Sequence, residues 1–123
     1  MPVCGRITRE ERERRNGHRS CVLWFTGLSG AGKSTLSRSV ERALHELGCN
    51  VCVLDGDALR TGLNRNLGYS REDRSENVRR AAETAKLFVD AGMIVAAAFI
   101  SPYRADRDMA RRLFAPGDFI EIY

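Results

Sequence analysis

The apolar residues of this chain occur in two patterns, as continuous runs and as single residues that recur every three or four positions. Residues 21–25 (CVLWF) and 51–54 (VCVL) are short continuous runs, which predict buried strands. Residues 93–100 (MIVAAAFI) are apolar at every position, as in a strand that is covered on both faces of a parallel sheet. A fourth strand is predicted to begin within residues 119–123. The spacing between these candidates leaves room for a helix in each interval.

Helical periodicity fills the first two intervals. After the first strand, apolar residues recur at helical spacing, and Gly48 then stands where a helix C-cap belongs. These residues are Leu36, Val40, Ala43, Leu44 and Leu47. Before the third strand, Asp73 and Glu76 have the spacing of a capping box, and an apolar face follows until Gly92. That face consists of Val78, Ala81, Ala82, Ala85, Phe88 and Val89.

The other connections complete a regular alternation of strands and helices. Residues 61–71 are polar and rich in Gly, Asn and Arg, which predicts a long functional loop with a short helix. Residues 101–114 (SPYRADRDMARRLF) predict a loop and a helix. The order β-α-β-α-β-α-β predicts an α/β fold, an open parallel β-sheet with helices on both faces in three α/β/α layers. Ligands of such sheets bind at the carboxyl ends of the strands.

Length and charge bound the possible functions. At 123 residues we expect a charged N-terminal arm, residues 1–19, followed by one domain, residues 20–123. The net charge of +4 is modest, and the arm alternates basic and acidic residues (TREERERR), as in a solvated helix or tail. We therefore expect no nucleic-acid partner. The longest apolar run is too short to span a bilayer and the first twenty residues have no apolar signal region, so we expect a cytoplasmic location without membrane contact.

The chain has four cysteines, and two of them, Cys49 and Cys52, have C-x-x-C spacing. This spacing occurs in redox motifs and in half of a zinc site. No second pair follows, and the two histidines offer no ligand spacing. Cys52 also lies within a predicted strand, where a free thiol acts as a small hydrophobic side chain. We favour this structural interpretation.

The sequence GLSGAGKS follows the first predicted strand directly and fits the pattern G-x-x-x-x-G-K-[ST]. In this pattern the backbone N–H groups of a glycine-rich loop and the start of the next helix bind phosphates. The predicted ATP-binding residues are Gly27, Leu28, Ser29, Gly30, Ala31, Gly32, Lys33, Ser34 and Thr35. Lys33 would contact the β- and γ-phosphates, and the Ser34 hydroxyl would bind Mg²⁺. The motif makes the predicted fold that of a P-loop NTPase.

Two observations support the phosphate loop. Eighteen of the twenty basic residues are Arg, so a lysine in this motif departs from the chain's usual choice and suits a site that needs a compact charge. The rival dinucleotide fingerprint G-x-G-x-x-G fails, because Thr35 stands where its third glycine belongs.

The acidic residues indicate which nucleotide enzyme this is. No N-K-x-D sequence for guanine recognition is present, and the apolar strand 93–100 ends in Ser-Pro rather than in an acidic pair. The second strand instead ends in DGDALR, residues 55–60. This favours a small-molecule kinase, in which a carboxylate holds Mg²⁺ or takes the proton of an acceptor hydroxyl. If the extended backbone persists through Gly56, Asp55 and Asp57 point the same way, and Asp57 faces the acceptor.

Arginines are concentrated in the segments that leave the predicted carboxyl edge. Guanidinium groups bind sulfate and phosphate oxygens well, so these arginines favour an anionic acceptor, although surface solvation explains about half of them equally well. They are Arg60, Arg74, Arg79, Arg80, Arg104 and Arg107.

Four motifs in this order, GLSGAGKST, DGDALR, LGYSREDRSENVRR and FISPYRADR, resemble the adenylylsulfate kinase family over residues 16–123. The resemblance implies transfer of the γ-phosphate of MgATP to the 3′-hydroxyl of adenosine 5′-phosphosulfate, giving the activated sulfate donor of sulfate assimilation. It implies Asp57, Lys33 and Ser101 as catalytic residues, with Ser101 matching a serine that the family is described as phosphorylating. Ser101 could instead cap the helix that follows. The implied acceptor-side residues are Asp55, Asp57, Arg60, Tyr69, Arg74, Asn77, Phe99, Ile100 and Ser101. Ser34 and Asp57 are the implied Mg²⁺ contacts.

The chain departs from the family pattern at two points. Tyr69 replaces the usual Phe, a change that leaves a ring able to stack on adenine. The family continues past the fourth strand into a lid and a segment that grips the ATP base, whereas this sequence stops at Tyr123, so we expect poor turnover. The resemblance also suggests a homodimer and association with ATP sulfurylase. Two alternatives stay open: a P-loop kinase for another small anionic acceptor, and a nucleotide-binding or regulatory fragment without turnover.

Overall fold

The computed structural model describes residues 7–26, 33–99, 101 and 103–122. Its strands are β1 (Cys21–Phe25), β2 (Val51–Asp55), β3 (Ile94–Ala98) and β4 (Phe119–Ile122). They form one parallel sheet in the order β2-β3-β1-β4. The predicted open parallel sheet is confirmed.

The helices are α1 (Arg9–Asn16), α2 (Lys33–Glu46), α3 (Gly56–Thr61), α4 (Arg71–Asp90) and α5 (Arg104–Arg112). On one face of the sheet, α4 and α5 bury residues such as Val78 and Ala110 against β1, β3 and β4. On the other face, Val40 of α2 packs against Phe25, Ala96 and Ala98. Because helices cover both faces, β3 is buried at every position, as its apolar sequence predicted.

The apolar face of α2 is less buried than its periodicity predicted. Val40 and Leu44 are half-buried, but Leu36 is 44% exposed and Leu47 is 78% exposed. Among the side chains of this helix that the structure describes, residues 35–46, the buried one is Ser37. The prediction of a helix ending near Gly48 is confirmed, since Gly48 has a φ of +88° after the last helical turn.

Helix α4 begins two residues before the predicted cap. Its N-cap is Ser70, whose hydroxyl accepts a hydrogen bond from the backbone N–H of Asp73 at 3.1 Å. The Asp73 carboxylate in turn accepts from the backbone N–H of Gly68 at 2.8 Å. The predicted capping box of Asp73 and Glu76 is therefore wrong, because Asp73 occupies the third helical position of an earlier start. The predicted buried face of this helix is confirmed, with Phe88 half-buried.

Helix α1 is tied to the amino edge of the sheet. Arg9 donates to both carboxylate oxygens of Asp118, at 2.7 and 3.1 Å, just before β4. Its guanidinium also donates to the Ser20 hydroxyl at 2.7 Å, just before β1. The Asn16 side chain donates to the carbonyl of Gly92, next to β3. The charged arm thus includes a helix anchored to the loops that precede three strands.

The cysteines that the structure describes, Cys21, Cys49 and Cys52, are free thiols. Burial raises the pKa of Cys52, which packs against the core, and of Cys21, which also lies near the Asp118 carboxylate. A redox-active thiol needs a lowered pKa, so this supports the structural interpretation of Cys52. Within the described part of the chain, no three His, Cys, Asp or Glu side chains are grouped to hold a metal ion. The described helices also include none with the length and hydrophobicity that a bilayer crossing requires.

Candidate active site

The acidic turn Asp55-Gly56-Asp57 lies at the carboxyl edge of the sheet. In the sheet register, Asp55 is level with Ala98, the last residue of β3, and Ala98 is level with Phe25, the last residue of β1. The chain therefore leaves β1, β2 and β3 at one edge, side by side. Ligands of open parallel sheets bind at this edge.

The backbone does not stay extended through this turn. Asp55 is the N-cap of α3, and its Oδ1 accepts a hydrogen bond from the backbone N–H of Asp57 at 2.9 Å. Gly56 is already the first helical residue, so the expectation that both carboxylates point the same way from an extended strand is wrong. The Asp55 carboxylate caps the helix, whereas the Asp57 side chain is exposed in the first helical turn. Asp55 therefore stabilises the turn, whereas the Asp57 carboxylate is exposed and able to contact a ligand.

Gly56 brings this turn close to the neighbouring strand. A side chain at Gly56 would begin 3.6 Å from the backbone oxygen of Ala98 and 3.6 Å from the ring of Phe99. These are ordinary contact distances, so there is room for a methyl group but for little more. The turn is thus packed directly against the end of β3.

Most of the predicted phosphate loop lies outside the described residues: Gly27, Leu28, Ser29, Gly30, Ala31 and Gly32. The chain enters this segment from the carboxyl end of β1 and leaves it into α2, which begins at Lys33. The roles predicted for the Lys33 and Ser34 side chains also lie outside what the structure describes, and Thr35 is exposed. Arg38, one turn further along α2, lies 3.8 Å from the Asp55 carboxylate. The helix that follows the loop therefore lies beside the acidic turn.

Three of the predicted acceptor-side residues form one cluster. The Arg60 guanidinium lies over the Tyr69 ring, 4.2 Å from its centroid, and the Arg74 guanidinium lies 5.7 Å from the same centroid. Arg74 also donates to the backbone oxygen of Tyr69 at 3.0 Å. Tyr69 is 69% exposed, so its ring lies at the surface with two guanidinium groups near it. We call Arg60, Tyr69 and Arg74 the arginine–tyrosine cluster.

The loop between α3 and α4 is fixed from both sides. Arg60 donates to the backbone oxygens of Leu67 and Gly68, at 3.3 and 3.1 Å. Arg80 of α4 donates to the side chain of Asn66 at 2.9 Å. Arg60 therefore also holds the backbone of this loop, a structural role that the sequence did not predict. The resemblance implied only a contact with the acceptor.

Asn77 lies one turn beyond Arg74 on α4 and is 5% exposed. Its Oδ1 accepts a hydrogen bond at 2.8 Å from Nδ2 of Asn64, which is fully buried. Sequence reasoning missed Asn64, because an Asn in a polar loop is ordinarily a turn residue at the surface. Only its burial, which the sequence does not show, distinguishes Asn64 from an ordinary turn residue.

Two residues near the end of β3 are buried. The Phe99 side chain is 1% exposed and packs on Trp24, with ring centroids 5.2 Å apart, so it belongs to the core and not to the acceptor surface. The Ser101 side chain is 4% exposed, and its hydroxyl accepts a hydrogen bond from the Trp24 indole at 3.3 Å. Ser101 does not cap α5, whose N-cap is Tyr103. Ile100 lies outside the described residues.

The other arginines of the predicted set have separate partners. Arg79 and Arg80 both donate to Glu76, and these hydrogen bonds, first that from Arg79, lower the pKa of Glu76 to about 2. Arg107 donates to the backbone oxygen of Ser101 at 2.7 Å. The Arg104 side chain is 88% exposed, as expected for surface solvation. Of the six arginines, Arg60 and Arg74 are the two that meet around an exposed aromatic ring.

A parallel sheet with a glycine-rich phosphate motif after β1 and an acidic turn after β2 defines a phosphate-binding α/β protein of the P-loop class. Comparison with known proteins narrows this class. The family model described as adenylylsulphate kinase matches residues 19–123, and the chain belongs to this family.

Individual relatives agree with this assignment. An adenylyl-sulfate kinase of Acaryochloris marina is 61% identical over 117 residues, which are 95% of this chain and 57% of the relative. The solved structure of the Mycobacterium tuberculosis APS kinase in complex with AMPPNP and APS is 48% identical, with a TM-score of 0.80 over 84% of this chain and 61% of that chain. The hexameric APS kinase from Thiobacillus denitrificans is 39% identical, with a TM-score of 0.78 over 91% of this chain and 24% of that chain. The chain spans little more than half the length of the curated relatives it matches.

Proposed function

We propose that this chain catalyses, or forms part of a protein that catalyses, transfer of the γ-phosphoryl group of ATP to the 3′-hydroxyl of adenosine 5′-phosphosulfate. The observation that carries the proposal is the arginine–tyrosine cluster. Arg60 of this cluster lies on α3, the helix that begins at the acidic turn. The phosphate motif follows β1 at the same edge of the sheet. A family relative with AMPPNP and APS bound supports the same pairing of donor and acceptor.

The cluster suits the acceptor chemically. Adenylylsulfate combines a flat base with a phosphosulfate anion, and the cluster combines an exposed ring with two guanidinium groups. A base stacks on an aromatic face, and guanidinium groups bind phosphate and sulfate oxygens through paired hydrogen bonds. Tyr69 and Arg74 are therefore proposed to hold the base and the anion.

The residues present fit a magnesium ion that arrives with the nucleotide. Mg²⁺ in kinases is held by one or two carboxylates together with substrate phosphates, so a dedicated cage of protein ligands is not required. Asp57 offers an exposed carboxylate at the edge from which the phosphate motif departs, and Ser34 of that motif would supply a hydroxyl. When bound, the ion would neutralise charge on the β- and γ-phosphates.

Asp57 is proposed to act as the base. The acceptor 3′-oxygen attacks the γ-phosphorus, the bond from that phosphorus to the bridging oxygen breaks, and ADP leaves. The proton of the 3′-hydroxyl passes to the Asp57 carboxylate, whose position in the first turn of α3 leaves it exposed to the edge. Lys33 would contribute a positive charge to the transferring phosphates.

A competition assay tests the choice of acceptor. ADP release would be followed in a coupled assay, with adenylylsulfate compared against other small anionic hydroxyl compounds, among them adenosine 5′-phosphate and gluconate. We expect ADP release that depends on adenylylsulfate and that the other acceptors do not support at equal concentration. Preference for another acceptor would assign the scaffold to a different small-molecule kinase.

Self-association is proposed as well. The family resemblance suggested a homodimer, and the hexameric relative from Thiobacillus denitrificans supports assembly without favouring that number of subunits. Sedimentation of the chain over a range of concentrations would give the number. Association with ATP sulfurylase and a cytoplasmic location stay predictions.

A further inference from the structure

The loop between α3 and α4 contains a polar side chain that is completely shielded from solvent. Asn64 has an exposed fraction of 0%, and its Oδ1 has no hydrogen-bond partner among the described residues. A buried acceptor without a partner has a free-energy cost, because it gives up its hydrogen bonds to water when the chain folds. An apolar side chain at this position would avoid that cost. We therefore expect the Asn64 amide to have a function other than stabilising the fold.

The other half of the amide supplies that function. Asn64 Nδ2 donates to the side-chain Oδ1 of Asn77 at 2.8 Å, and its contact with the backbone oxygen of Asn77 is longer, at 3.5 Å. An amide carries its oxygen and its NH₂ group on opposite sides. When Asn64 holds the oxygen of Asn77, the Asn77 NH₂ group is turned away from Asn64. The hydrogen bond from Asn64 thus fixes the Asn77 amide with its oxygen toward Asn64 and its NH₂ group away from it.

The backbone around Asn64 holds this donor in place. Its N–H donates to the backbone oxygen of Leu59 at 2.7 Å, and its own oxygen accepts from the N–H of Leu67 at 3.1 Å. These bonds connect the buried residue to α3 on one side and to the loop that carries Tyr69 on the other. A rigid support of this kind is what a precisely oriented ligand contact requires.

We propose that Asn64 is a positioning residue that orients the Asn77 amide so that its NH₂ group donates a hydrogen bond to the bound acceptor. The inference rests on the proposed function, because it takes Asn77 as an acceptor contact. Without Asn64 the Asn77 side chain can turn over and present its oxygen to the anionic acceptor. Binding of the acceptor then loses a donor and gains a repulsive contact.

Substitution of Asn64 by Ala tests the proposal through binding. Calorimetry would measure the affinity of the chain for adenylylsulfate and, separately, for ATP. We expect adenylylsulfate affinity to fall about tenfold, the equivalent of one hydrogen bond, with ATP affinity unchanged. The matched control is Asn66→Ala, which removes a different hydrogen bond between the same loop and α4 and should leave both affinities nearly unchanged. Equal loss of both affinities, or no loss, would overturn the proposal.

A double-substitution cycle separates positioning from a general effect on folding. Asn77→Ala should lower adenylylsulfate affinity, and Asn64→Ala should then add no further loss, because its effect passes through Asn77. Asn64→Asp should lower the affinity more than Asn64→Ala, since a carboxylate has no donor and forces the Asn77 amide to turn over. Additive losses in the cycle would show that Asn64 does not act through Asn77.

A measurement on the unmodified chain keeps the test decisive if the variants fail to fold. Side-chain amide resonances in ¹⁵N-labelled protein would be followed during titration with adenylylsulfate. The Asn77 NH₂ resonances should shift strongly, while those of Asn64 stay slowly exchanging throughout. If adenylylsulfate shifts other resonances but not those of the Asn77 NH₂ group, the inference about Asn64 is wrong. The proposed function would not be affected by that result. A chain that does not bind adenylylsulfate at all would overturn both.

Discussion

Among single residues, Asp57 and its neighbour Asp55 differ in the surroundings of their carboxylates. The Asp55 carboxylate caps α3 and lies near Arg38, whereas the Asp57 carboxylate is exposed. We predict that Asp57→Asn lowers turnover by about 100-fold to 10,000-fold, the usual contribution of a general base, with little change in ATP affinity. Steady-state rates and calorimetric ATP binding would measure the two effects.

Two further variants serve as controls for that substitution. Lys33→Ala should weaken ATP binding and turnover together, because its charge contacts the nucleotide in the ground state as well. Asp90→Asn, at the last residue of α4, should change neither. A full rate in Asp57→Asn would remove the base from the proposed mechanism.

The ion pairs of Glu76 predict a pH dependence of stability. Hydrogen bonds from Arg79 and then from Arg80 lower its folded-state pKa from 4.5 to about 2. A lowered folded-state pKa stabilises the protein above the unfolded value, and this stabilisation is lost as the pH falls from 4.5 toward 2. We therefore expect Glu76→Gln to lower the free energy of unfolding at neutral pH, with the difference from the parent shrinking over that range.

The matched control for Glu76 is Glu83→Gln. Glu83 makes a single, longer contact of 3.7 Å with the same Arg79 and is half-exposed, so its replacement should have a smaller effect. Urea unfolding of the three proteins across the acid range would measure the difference. A Glu76→Gln difference that stays constant down to the lowest pH would rule out the assigned cause.

At the scale of elements, α1 is predicted to stabilise the sheet through Arg9. The Arg9 pKa is raised chiefly by the hydrogen bond to Asp118, whose side chain is 8% exposed. Arg9→Met would leave that carboxylate buried and unpaired, so we expect a loss of about 2 kcal/mol in the free energy of unfolding. Arg15→Met, at an exposed position in the last turn of the same helix, should cost less than about 0.5 kcal/mol. Equal effects of the two substitutions would show that α1 is not anchored through Arg9.

The close approach of α1 to the turn before β3 can be tested at Gly92. Gly92 has a φ of +88°, and an added Cβ would lie 2.8 Å from the Cβ of Arg12. Gly48 has the same φ with nothing within 4 Å, so Gly48→Ala measures the backbone strain alone, about 1 kcal/mol. We expect Gly92→Ala to cost about 1–2 kcal/mol more than this, because α1 must move. Thermal unfolding of the pair would give the difference, and equal costs would place α1 away from Gly92.

Sequence patterns predicted elements where burial and periodicity agree. β1 and the buried face of α4 follow directly from their apolar residues, because β1 lies inside a sheet that is covered on both faces and α4 packs on one of those faces. The cap of α4 was misplaced, since Ser70 and Asp73 have the same spacing as Asp73 and Glu76, and spacing alone does not choose between them. In α2 the periodicity overstated burial, because Leu36 and Leu47 remain exposed.

At the scale of the whole molecule, the sequence predicted which edge of the sheet carries the site, because every parallel strand ends at the same side. The family resemblance, rather than the sequence pattern, named the three residues that meet in the arginine–tyrosine cluster. The sequence pattern did not predict the burial of Asn64, because that burial depends on how the loop packs against α4. The apolar strand pattern predicted the burial of Phe99, whereas the resemblance placed Phe99 on the acceptor side. Family membership of residues 19–123 supports the same site.

In the proposed reaction a phosphoryl group passes from ATP at the phosphate motif to an acceptor held beside the acidic turn. A single-turnover experiment would follow this transfer, with the chain in excess over γ-³²P-labelled ATP and with adenylylsulfate present or absent. We expect label to appear on the 3′-hydroxyl of adenylylsulfate, even if slowly, and Asp57→Asn to suppress this transfer. Label released only as inorganic phosphate, at a rate that does not depend on adenylylsulfate, would rule out the proposed reaction.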